Sequence, residues 1–376
     1  MMMTRALLIA VVSTVLASEA LAQWRIDLTG EPALSLSEPF TQIAGIRALP
    51  GNRAIVVDQM ERRVLLVDLS NNTYRQIGRE GGGPAEYRFP TRPMAAPDGR
   101  TLIYDAVLRR LLRLEPDGRF EPSAPLPSVT VPGGVGRAVG SDSEGRVYFE
   151  GSSFNAETGR FADSVAVVRW DPASDRVDLL GRVWSGGRVR VQRNGEVASL
   201  ARSITPFPAV DAWVVLADAR VAIVQQQPHR IVLRDAVGSR TVESADLSFP
   251  PVAITPAERN AYRAREEGAR MAAAGVAGGG PSMRRPPTGD AEFPEAMPAF
   301  VAASLLASPA GELWIGRSYA HNSATRRYDV FSTDGRLVAV ATLGRDRTVV
   351  GFGDGVIYVA RTDPGDHLVY LELYRQ

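Results

Sequence analysis

A tight polar turn followed directly by a short apolar strand recurs six times along this chain. In the first copy, residues 50–53 (PGNR) precede residues 54–57 (AIVV), and in the second, residues 97–100 (PDGR) precede residues 101–104 (TLIY). Glycine, asparagine and aspartate tolerate the positive φ angles of hairpin turns, so each copy predicts a β-hairpin. The six turns occupy residues 50–53, 97–100, 143–146, 217–220, 309–312 and 353–355.

The copies recur at the spacing of a propeller blade. Asp105 follows Asp58 by 47 residues and Ile357 follows Trp314 by 43, while the two larger gaps contain insertions. Four short strands in a unit of this length are typical of β-propellers. We therefore predict an all-β fold, a six-bladed β-propeller of four-stranded antiparallel blades with strands A to D from the axis outward. A seven-bladed ring and a β-sandwich are the alternatives, but a sandwich gives no reason for the recurring unit.

The last blade lacks one strand at the C-terminus. Its A, B and C strands are predicted at residues 349–352, 356–360 and 368–374, and nothing after them is long enough for strand D. We expect residues 24–28 to supply that outer strand, because this closes the ring and covers an open sheet edge.

A long insertion, residues 255–299, separates blades 4 and 5. Its first half is predicted to be helical, since Thr255 can cap a helix, Pro256 suits the first turn and Glu258 completes a capping box, with Gly275 as the stop. Its second half, residues 278–290, is rich in glycine and proline and is expected to be disordered.

Antiparallel connectivity assigns the long segments to one face of the ring. In a four-stranded blade the A–B and C–D turns share one face, and the B–C loops and D–A connections share the other. The tight turns all belong to the first set, whereas residues 78–90, 151–164, 181–209, 255–299 and 316–325 all belong to the second. Long loops on a rigid scaffold usually carry function, so we expect the ligand at the channel mouth on this long-loop face.

The first residues are typical of a secretory signal. Arg5 precedes an apolar run at residues 6–17, which is too short to span a bilayer comfortably, and residues 20–22 (ALA) form a small-x-small cleavage site. We predict a signal peptide at residues 1–22 and a mature propeller at residues 23–376, exported to the periplasm or the extracellular space. An uncleaved membrane anchor is the alternative, and no later stretch is apolar enough to be a transmembrane segment.

The charged residues exclude some functions. The formal net charge is +1, which gives no argument for nucleic acid, and all 43 basic residues are arginine. Schiff-base and P-loop chemistry, which need lysine, are therefore excluded. The arginines indicate either anion recognition by guanidinium groups or simply the base composition of the coding DNA.

Two segments carry a family resemblance. Residues 78–88 (GREGGGPAEYR) resemble the G-x-x-G-x-G-P-x-E-[FY] loop of bacterial exported six-bladed β-propellers related to the NHL and TolB-like groups, and residues 297–300 with 311–315 resemble their P-x-F … G-x-L-W-V segment. The resemblance implies fold and export, not a reaction. Two metal-dependent enzyme families share this fold, the gluconolactonase-like lactonases and the peptidyl-hydroxyglycine lyases, and no metal-ligand motif of either matches positions here.

The glycine-rich loop at residues 78–83 has two interpretations. It could cradle a phosphate, but it lacks Gly-Lys-Ser/Thr and follows an outer strand instead of opening a helix. We favour a structural connector between blades that is anchored by Glu86 and Arg88. Arg79, Glu80 and Arg88 would still reach a ligand at the channel mouth.

Acidic residues end two equivalent B strands. Asp58 and Asp105 are each followed four residues later by an arginine, Arg62 and Arg109. The favoured interpretation is an Asp–Arg pair across each B–C loop, and the alternative is a polar ring that contacts a ligand. No carboxylate pair stands out as a general acid and base, so no catalytic residue is assigned.

Only three histidines are present, His229, His321 and His367, and all are predicted in B–C loops. They could form a three-histidine metal site, but loops on the middle strands of neighbouring blades diverge from the axis, so we predict no metal and no cofactor.

The sequence thus predicts an exported binding module, acting as a monomer, for a peptide, glycan or protein partner. A metal-dependent lactonase, hydrolase or lyase at the same channel mouth is the alternative. The candidate ligand-binding residues are Arg79, Glu80, Arg88, Asp58, Asp105, Arg317 and His321.

Overall fold

Six sheets, five with four strands and one with five, are arranged in a ring in the computed structural model. It describes residues 24–126, 134–152, 154–155, 160–185, 189–194, 197–202, 206–235, 240–244, 246–276 and 293–376. The predicted signal peptide and the predicted disordered segment at residues 278–290 lie outside these residues.

In blades I to V strands A to D follow one another along the chain, whereas the outer strand of blade VI comes from the N-terminal segment. Blade I comprises Ile43–Leu49, Arg53–Asp58, Arg63–Asp68 and Thr73–Gln76, and blade II comprises Pro90–Ala95, Thr101–Asp105, Arg110–Leu114 and Phe120–Pro125. Blade III comprises Val135–Ser141, Val147–Gly151, Ser164–Asp171 and Arg176–Trp184, and blade IV comprises Ala212–Val215, Val221–Gln226, His229–Arg234 and Thr241–Glu243. Blade V comprises Phe300–Ala307, Leu313–Arg317, Thr325–Phe331 and Leu337–Gly344, and blade VI comprises Arg347–Gly353, Val356–Thr362, Val369–Arg375 and an outer strand at Leu34–Ser35.

Among the described residues, three additional pairs of short strands lie on the long-loop face. Arg79–Glu80 pairs with Glu86–Tyr87 between blades I and II, and Phe154–Asn155 pairs with Arg160–Phe161 in the B–C loop of blade III. Val189–Asn194 and Val197–Arg202 form a hairpin between blades III and IV. A 3-10 turn, Pro97–Gly99, lies on the opposite face in the A–B turn of blade II.

The inner strands establish the number of blades. The A strands of neighbouring blades contact each other in a closed cycle from blade I through blade VI and back to blade I. The described apolar residues form six clusters, each between two neighbouring blades. Between blades V and VI, for example, the buried Trp314 ring lies 5.0 Å from that of Phe352. The predicted six-bladed propeller is therefore confirmed, and the seven-bladed ring and the sandwich are wrong.

The recurring Asp-Gly-Arg turn is stabilised within itself. Gly118 takes a φ of +83°, which folds the chain so that Arg119 Nε donates to Asp117 Oδ2 at 2.8 Å. The equivalent turn of blade V repeats the contact between Arg336 Nε and Asp334 Oδ2 at 2.7 Å. Positive φ is accessible to glycine without steric cost. These arginines of the tight-turn face therefore serve the turns, and their charges are paired.

The N-terminal strand closes the ring differently from the prediction. Residues 24–28 do not pair with the last strand of the chain; Trp24–Leu28 runs parallel to strand D of blade V as a fifth strand. The outer strand of blade VI is Leu34–Ser35, with Leu34 opposite Leu373. Leu36 and Phe40, both fully buried between blades VI and I, anchor this second segment. The prediction failed because the later segment carries the deeper apolar anchors.

One helix, α1 (Pro256–Val276), lies in the insertion between blades IV and V. Thr255 Oγ1 accepts the Glu258 N–H at 3.3 Å, which is half of the predicted capping box. The other half is missing, because the Glu258 carboxylate turns to His321 in blade V. The helix ends one residue beyond Gly275. No helix among the described residues combines the length and apolar character needed to cross a membrane.

Candidate functional site

Helix α1 is docked on the long-loop face. The Tyr262 ring lies 5.0 Å from that of Phe207 in the connection between blades III and IV, and 5.6 Å from that of Phe293. The guanidinium groups of Arg259 and Arg263 lie 5.7 Å and 5.2 Å from the Phe293 ring centroid. Aromatic contacts and cation–π contacts thus hold this helix against loops that belong to the long-loop face.

A carboxylate and an imidazole fix the start of the helix to blade V. Glu258 Oε1 accepts the backbone N–H of His321 at 2.9 Å and lies 2.8 Å from its Nδ1. The Glu258 side chain is buried, whereas 40% of the His321 side chain is exposed. A carboxylate at Nδ1 favours the tautomer with the proton on that nitrogen, which leaves Nε2 as an acceptor in the neutral ring. His321 is therefore an oriented imidazole on the long-loop face.

The other two histidines lie elsewhere. His229 stands perpendicular to Phe249 at 5.6 Å, and burial lowers its pKa. His367 is exposed in the B–C loop of blade VI, in the left-handed conformation. Within the described residues, which include all three histidines, no three His, Asp or Glu side chains group together as metal ligands. The donor set needed by the metal-dependent families is thus not assembled in this part of the chain.

The two acids at the ends of B strands each accept several backbone hydrogen bonds. Asp105 Oδ2 accepts the N–H of Arg88 at 2.8 Å, and its Oδ1 accepts three further backbone N–H groups, of Phe89, Val107 and Leu108. Each carboxylate ties a D–A connection to a B–C loop, and both are fully buried. Both carboxylates are therefore occupied by backbone N–H groups.

Asp58 follows the same plan in blade I. Its oxygens accept the N–H groups of Thr41 at 2.8 Å and Gln42 at 3.2 Å, and that of Glu61 at 3.3 Å. The arginine nearest to it is Arg63, at 3.4 Å.

The predicted pairing of these acids with the arginines four residues later is wrong. Arg62 pairs instead with Glu80 at 2.6 Å. Arg109 makes no ion pair or hydrogen bond with Asp105, whose recorded partners among the described residues are backbone N–H groups. Both arginines take a φ of +51°, so each occupies the left-handed position of its loop. The spacing in sequence therefore does not translate into a contact.

The glycine-rich loop is a self-contained connector. Gly83 N–H donates to Glu86 Oε2 at 2.7 Å, and Glu86 Oε1 accepts from Arg79 Nε at 2.8 Å. Arg110 Nη2 donates to the carbonyl oxygens of Gly83 and Glu86. Gly81 N–H bonds the carbonyl of Tyr87, so two of the loop amides that a phosphate would need are already used.

The remaining candidates divide between paired and unpaired side chains. Arg79 and Glu80 are held in ion pairs, and Arg317 donates to Asp329 at 2.5 Å beneath the Phe249 ring. The exposed side chain of Arg88 makes no hydrogen bond or ion pair with any described residue. These contacts place Arg79, Glu80, Arg88 and Asp105 around the connection between blades I and II, Asp58 in blade I, and Arg317 and His321 in blade V.

Sequence reasoning missed a group of arginines on the inner strands. Arg47, Arg92 and Arg137 lie on strand A, the innermost strand, of blades I, II and III. They recur at the blade repeat, so their spacing was an available signal. It was obscured because arginine also fills the tight turns.

Comparisons with known proteins found distantly similar structures but no family. No family model matches the chain, and no curated protein is similar enough to count as a relative. Among solved structures, an exported protein from Bacteroides fragilis aligns over 94% of this chain and 99% of its own, at 11% identity and a TM-score of 0.48. The calcium-binding regucalcin of Agrobacterium tumefaciens aligns over 94% and 97%, at 12% identity and a TM-score of 0.45. A gluconolactonase from Xanthomonas campestris covers 91% of both chains at 13% identity and a TM-score of 0.41. These similarities are distant, and the number of blades rests on the strand pairing of this chain.

Proposed function

We propose that this protein is an exported binding module that holds a peptide, glycan or protein ligand on the long-loop face, at the channel mouth. The observation that carries the proposal is the docking of α1 by Glu258 and His321. Burying a carboxylate is costly unless its charge is compensated by such contacts. An insertion held in this way forms a fixed wall on one face, whereas the opposite face presents tight turns.

The loops beside that wall are also held rigid. Asp58 and Asp105 fasten the connections of the first two blades from beneath, and Gln226 does the same in blade IV by accepting from Ala299 N–H and donating to the Phe300 carbonyl. Preorganised loops lose little conformational freedom on binding, which favours affinity.

A single-cysteine experiment tests where ligands bind, because the natural chain has no cysteine. Met60→Cys places an environment-sensitive fluorophore in the B–C loop of blade I, where 55% of the side chain is exposed. Asp354→Cys places the same fluorophore on an exposed tight turn of the opposite face. A panel of peptides and oligosaccharides should include ligands that change the Met60 signal only. Responses confined to the Asp354 label, or none at either label, would refute the proposal.

A catalyst is the second candidate, and the oriented His321 favours it. An exposed imidazole held through Nδ1 by a carboxylate is suited to proton transfer at Nε2. We would test turnover of sugar-acid lactones by the wild type and by His321→Ala. Turnover that is lost in the variant would replace the binding module with a hydrolase or lyase.

Export is part of the proposal and rests on residues 1–22. Protein secreted by a bacterial host should begin at Gln23 on N-terminal sequencing. Recovery of the intact N-terminus in the membrane fraction would favour the anchor.

A further inference from the structure

The inner strands carry positive charge and no negative charge. The six A strands contain four arginines, Arg47, Arg92, Arg137 and Arg347, and no aspartate, glutamate or lysine. Most of their other residues are small or apolar. Because the innermost strands line the channel of a propeller, this composition makes the channel electropositive.

Two of the four arginines have carboxylate partners. Arg347 Nε donates to Glu372 at 2.7 Å in the same blade. Arg137 Nη2 donates to Glu150 Oε2 at 2.7 Å, and the same oxygen accepts from Trp213 Nε1 at 2.9 Å. The charge of Arg137 is therefore offset, while its side chain remains largely exposed.

The other two arginines have none. Arg92 is half-buried, makes no ion pair and donates no side-chain hydrogen bond to any described residue. Arg47 Nη1 donates to the Ala48 carbonyl, and its Nε is buried without a partner among the described residues. Arg47 Nε therefore lacks the acceptor that a buried polar atom normally has, and neither guanidinium group has a carboxylate partner among the described residues.

The position of Arg92 depends on a glycine in the neighbouring blade. A Cβ on Gly45 would lie 2.7 Å from Arg92 Cγ and 3.2 Å from its Nε, so only glycine leaves room for this side chain. Gly45 pairs with Val57 and Arg137 pairs with Glu150, each one residue before the end of strand B at the long-loop face. Arg47 pairs with Ile55, farther into the channel.

The electrostatics agree with this geometry. Burial lowers the pKa of Arg47 and that of Arg92, and the positive charge of Arg137 lowers the pKa of Arg92 further. Guanidinium groups remain protonated in proteins, so the cost of burial is not relieved by loss of a proton. An anion between these groups would relieve it.

We infer that the channel mouth binds the oxyanion group of a ligand, a carboxylate, phosphate or sulfate, between Arg92 and Arg137 with Arg47 below. Guanidinium groups match such oxygens in geometry and form charge-assisted hydrogen bonds with them. The inference rests on the proposed function, since it names the ligand class that the long-loop face would admit.

Calorimetric titration tests it with inorganic phosphate, sulfate and citrate as probes, at low ionic strength. Arg92→Met keeps the length of the aliphatic stem and removes the charge, and Arg25→Met is the matched control on the exposed N-terminal strand. We expect at least one probe to bind the wild type and the control equally, and to bind Arg92→Met at least tenfold more weakly. The probe that binds best distinguishes a carboxylate from a phosphate or sulfate ligand.

Thermal unfolding without ligand separates a binding role from a structural one. If the role of Arg92 is to bind an anion, the ligand-free Arg92→Met variant should have the same melting temperature as the wild type or a higher one, because an uncompensated charge is removed. A lower melting temperature together with unchanged anion binding would overturn the inference, as would the absence of binding by every probe.

The results that refute the anion site differ from those that refute the binding module. Anion binding without any response of the Met60 label to peptides or oligosaccharides would leave the anion site and refute the binding module. The Met60→Cys label can also be placed in the Arg92→Met variant. A ligand that changes its fluorescence equally with Arg92 and with Met at this position would support the binding module and refute the anion site.

Discussion

Asp105→Asn should destabilise the protein severely although it removes only a charge. The buried carboxylate accepts four backbone N–H groups, one on Oδ2 and three on Oδ1. If the asparagine oxygen takes the Oδ1 position, three hydrogen bonds remain, but each loses its ionic component, and ionic hydrogen bonds are about twice as strong as neutral ones. The new NH2 group would then face the Arg88 N–H, which leaves two buried donors without an acceptor.

These losses can be added from typical magnitudes. A buried donor without a partner costs roughly 1–3 kcal/mol, and three weakened bonds cost about 0.5 kcal/mol each. Two donors without a partner and three weakened bonds together should lower the free energy of unfolding by about 3.5–7.5 kcal/mol.

Urea unfolding followed by tryptophan fluorescence measures this change. The midpoint should fall while the dependence on urea concentration stays constant, since the exposed surface on unfolding is unchanged. Asp117→Asn is the control, an exposed acid paired with Arg119 in a tight turn of the same blade, and it should lower the free energy of unfolding by less than about 1 kcal/mol. A loss below about 1 kcal/mol in Asp105→Asn would show that these loops are not held by the carboxylate, because four ionic hydrogen bonds are worth more than that.

Three further outcomes are expected. Glu258→Gln should speed amide hydrogen exchange in the first turns of α1 without changing the global unfolding midpoint, and unchanged exchange would show that the aromatic contacts alone hold the helix. Phe40→Ala should lower the free energy of unfolding by about 3–4 kcal/mol, because Phe40 is a fully buried aromatic residue, and the loss should exceed that caused by deletion of Trp24–Leu28. A larger loss on deletion, measured by urea unfolding, would show that Trp24–Leu28 contributes more to closing the ring. Burial lowers the pKa of His229 in the folded state, so the unfolded chain binds its proton first and stability should fall as the pH drops below the ordinary value of 6.5. His229→Gln should flatten that part of the stability profile, and an identical profile would assign the pH dependence to other groups.

The blade pattern could be predicted because its causes are local. Each tight turn needs a residue such as Gly118 that accepts positive φ, and the strands beside it are short apolar runs. Packing between blades then follows from the repeat itself. The closure could not be predicted in the same way, because Trp24–Leu28 and Leu34–Ser35 are both plausible edge strands, and only the burial of Phe40 decides between them.

The candidate site was less predictable because its contacts join distant parts of the chain. The partner of Glu258 is His321, whereas local helix rules point to the cap at Thr255. The spacing of Asp58 and Arg62 suggested a pair, but the left-handed conformation of Arg62 prevents it. The channel arginines showed a signal in sequence, yet only the structure shows that Arg92 lacks a carboxylate partner.

The N-terminal segment supplies the outermost strands of blades V and VI, and this constrains the order of folding. Tyr374 Oη donates to the Gly30 carbonyl across 344 residues of chain. Closing a loop of that length costs about 5 kcal/mol in chain entropy, before any contact between the N-terminal segment and the last two blades compensates for it. Blades I to IV contain no such long-range strand, so they can assemble as the chain emerges. Blades V and VI gain their outermost strands only when residues made first meet residues made last, so the seam at these two blades is where an incomplete chain would expose unpaired sheet edges to neighbouring molecules.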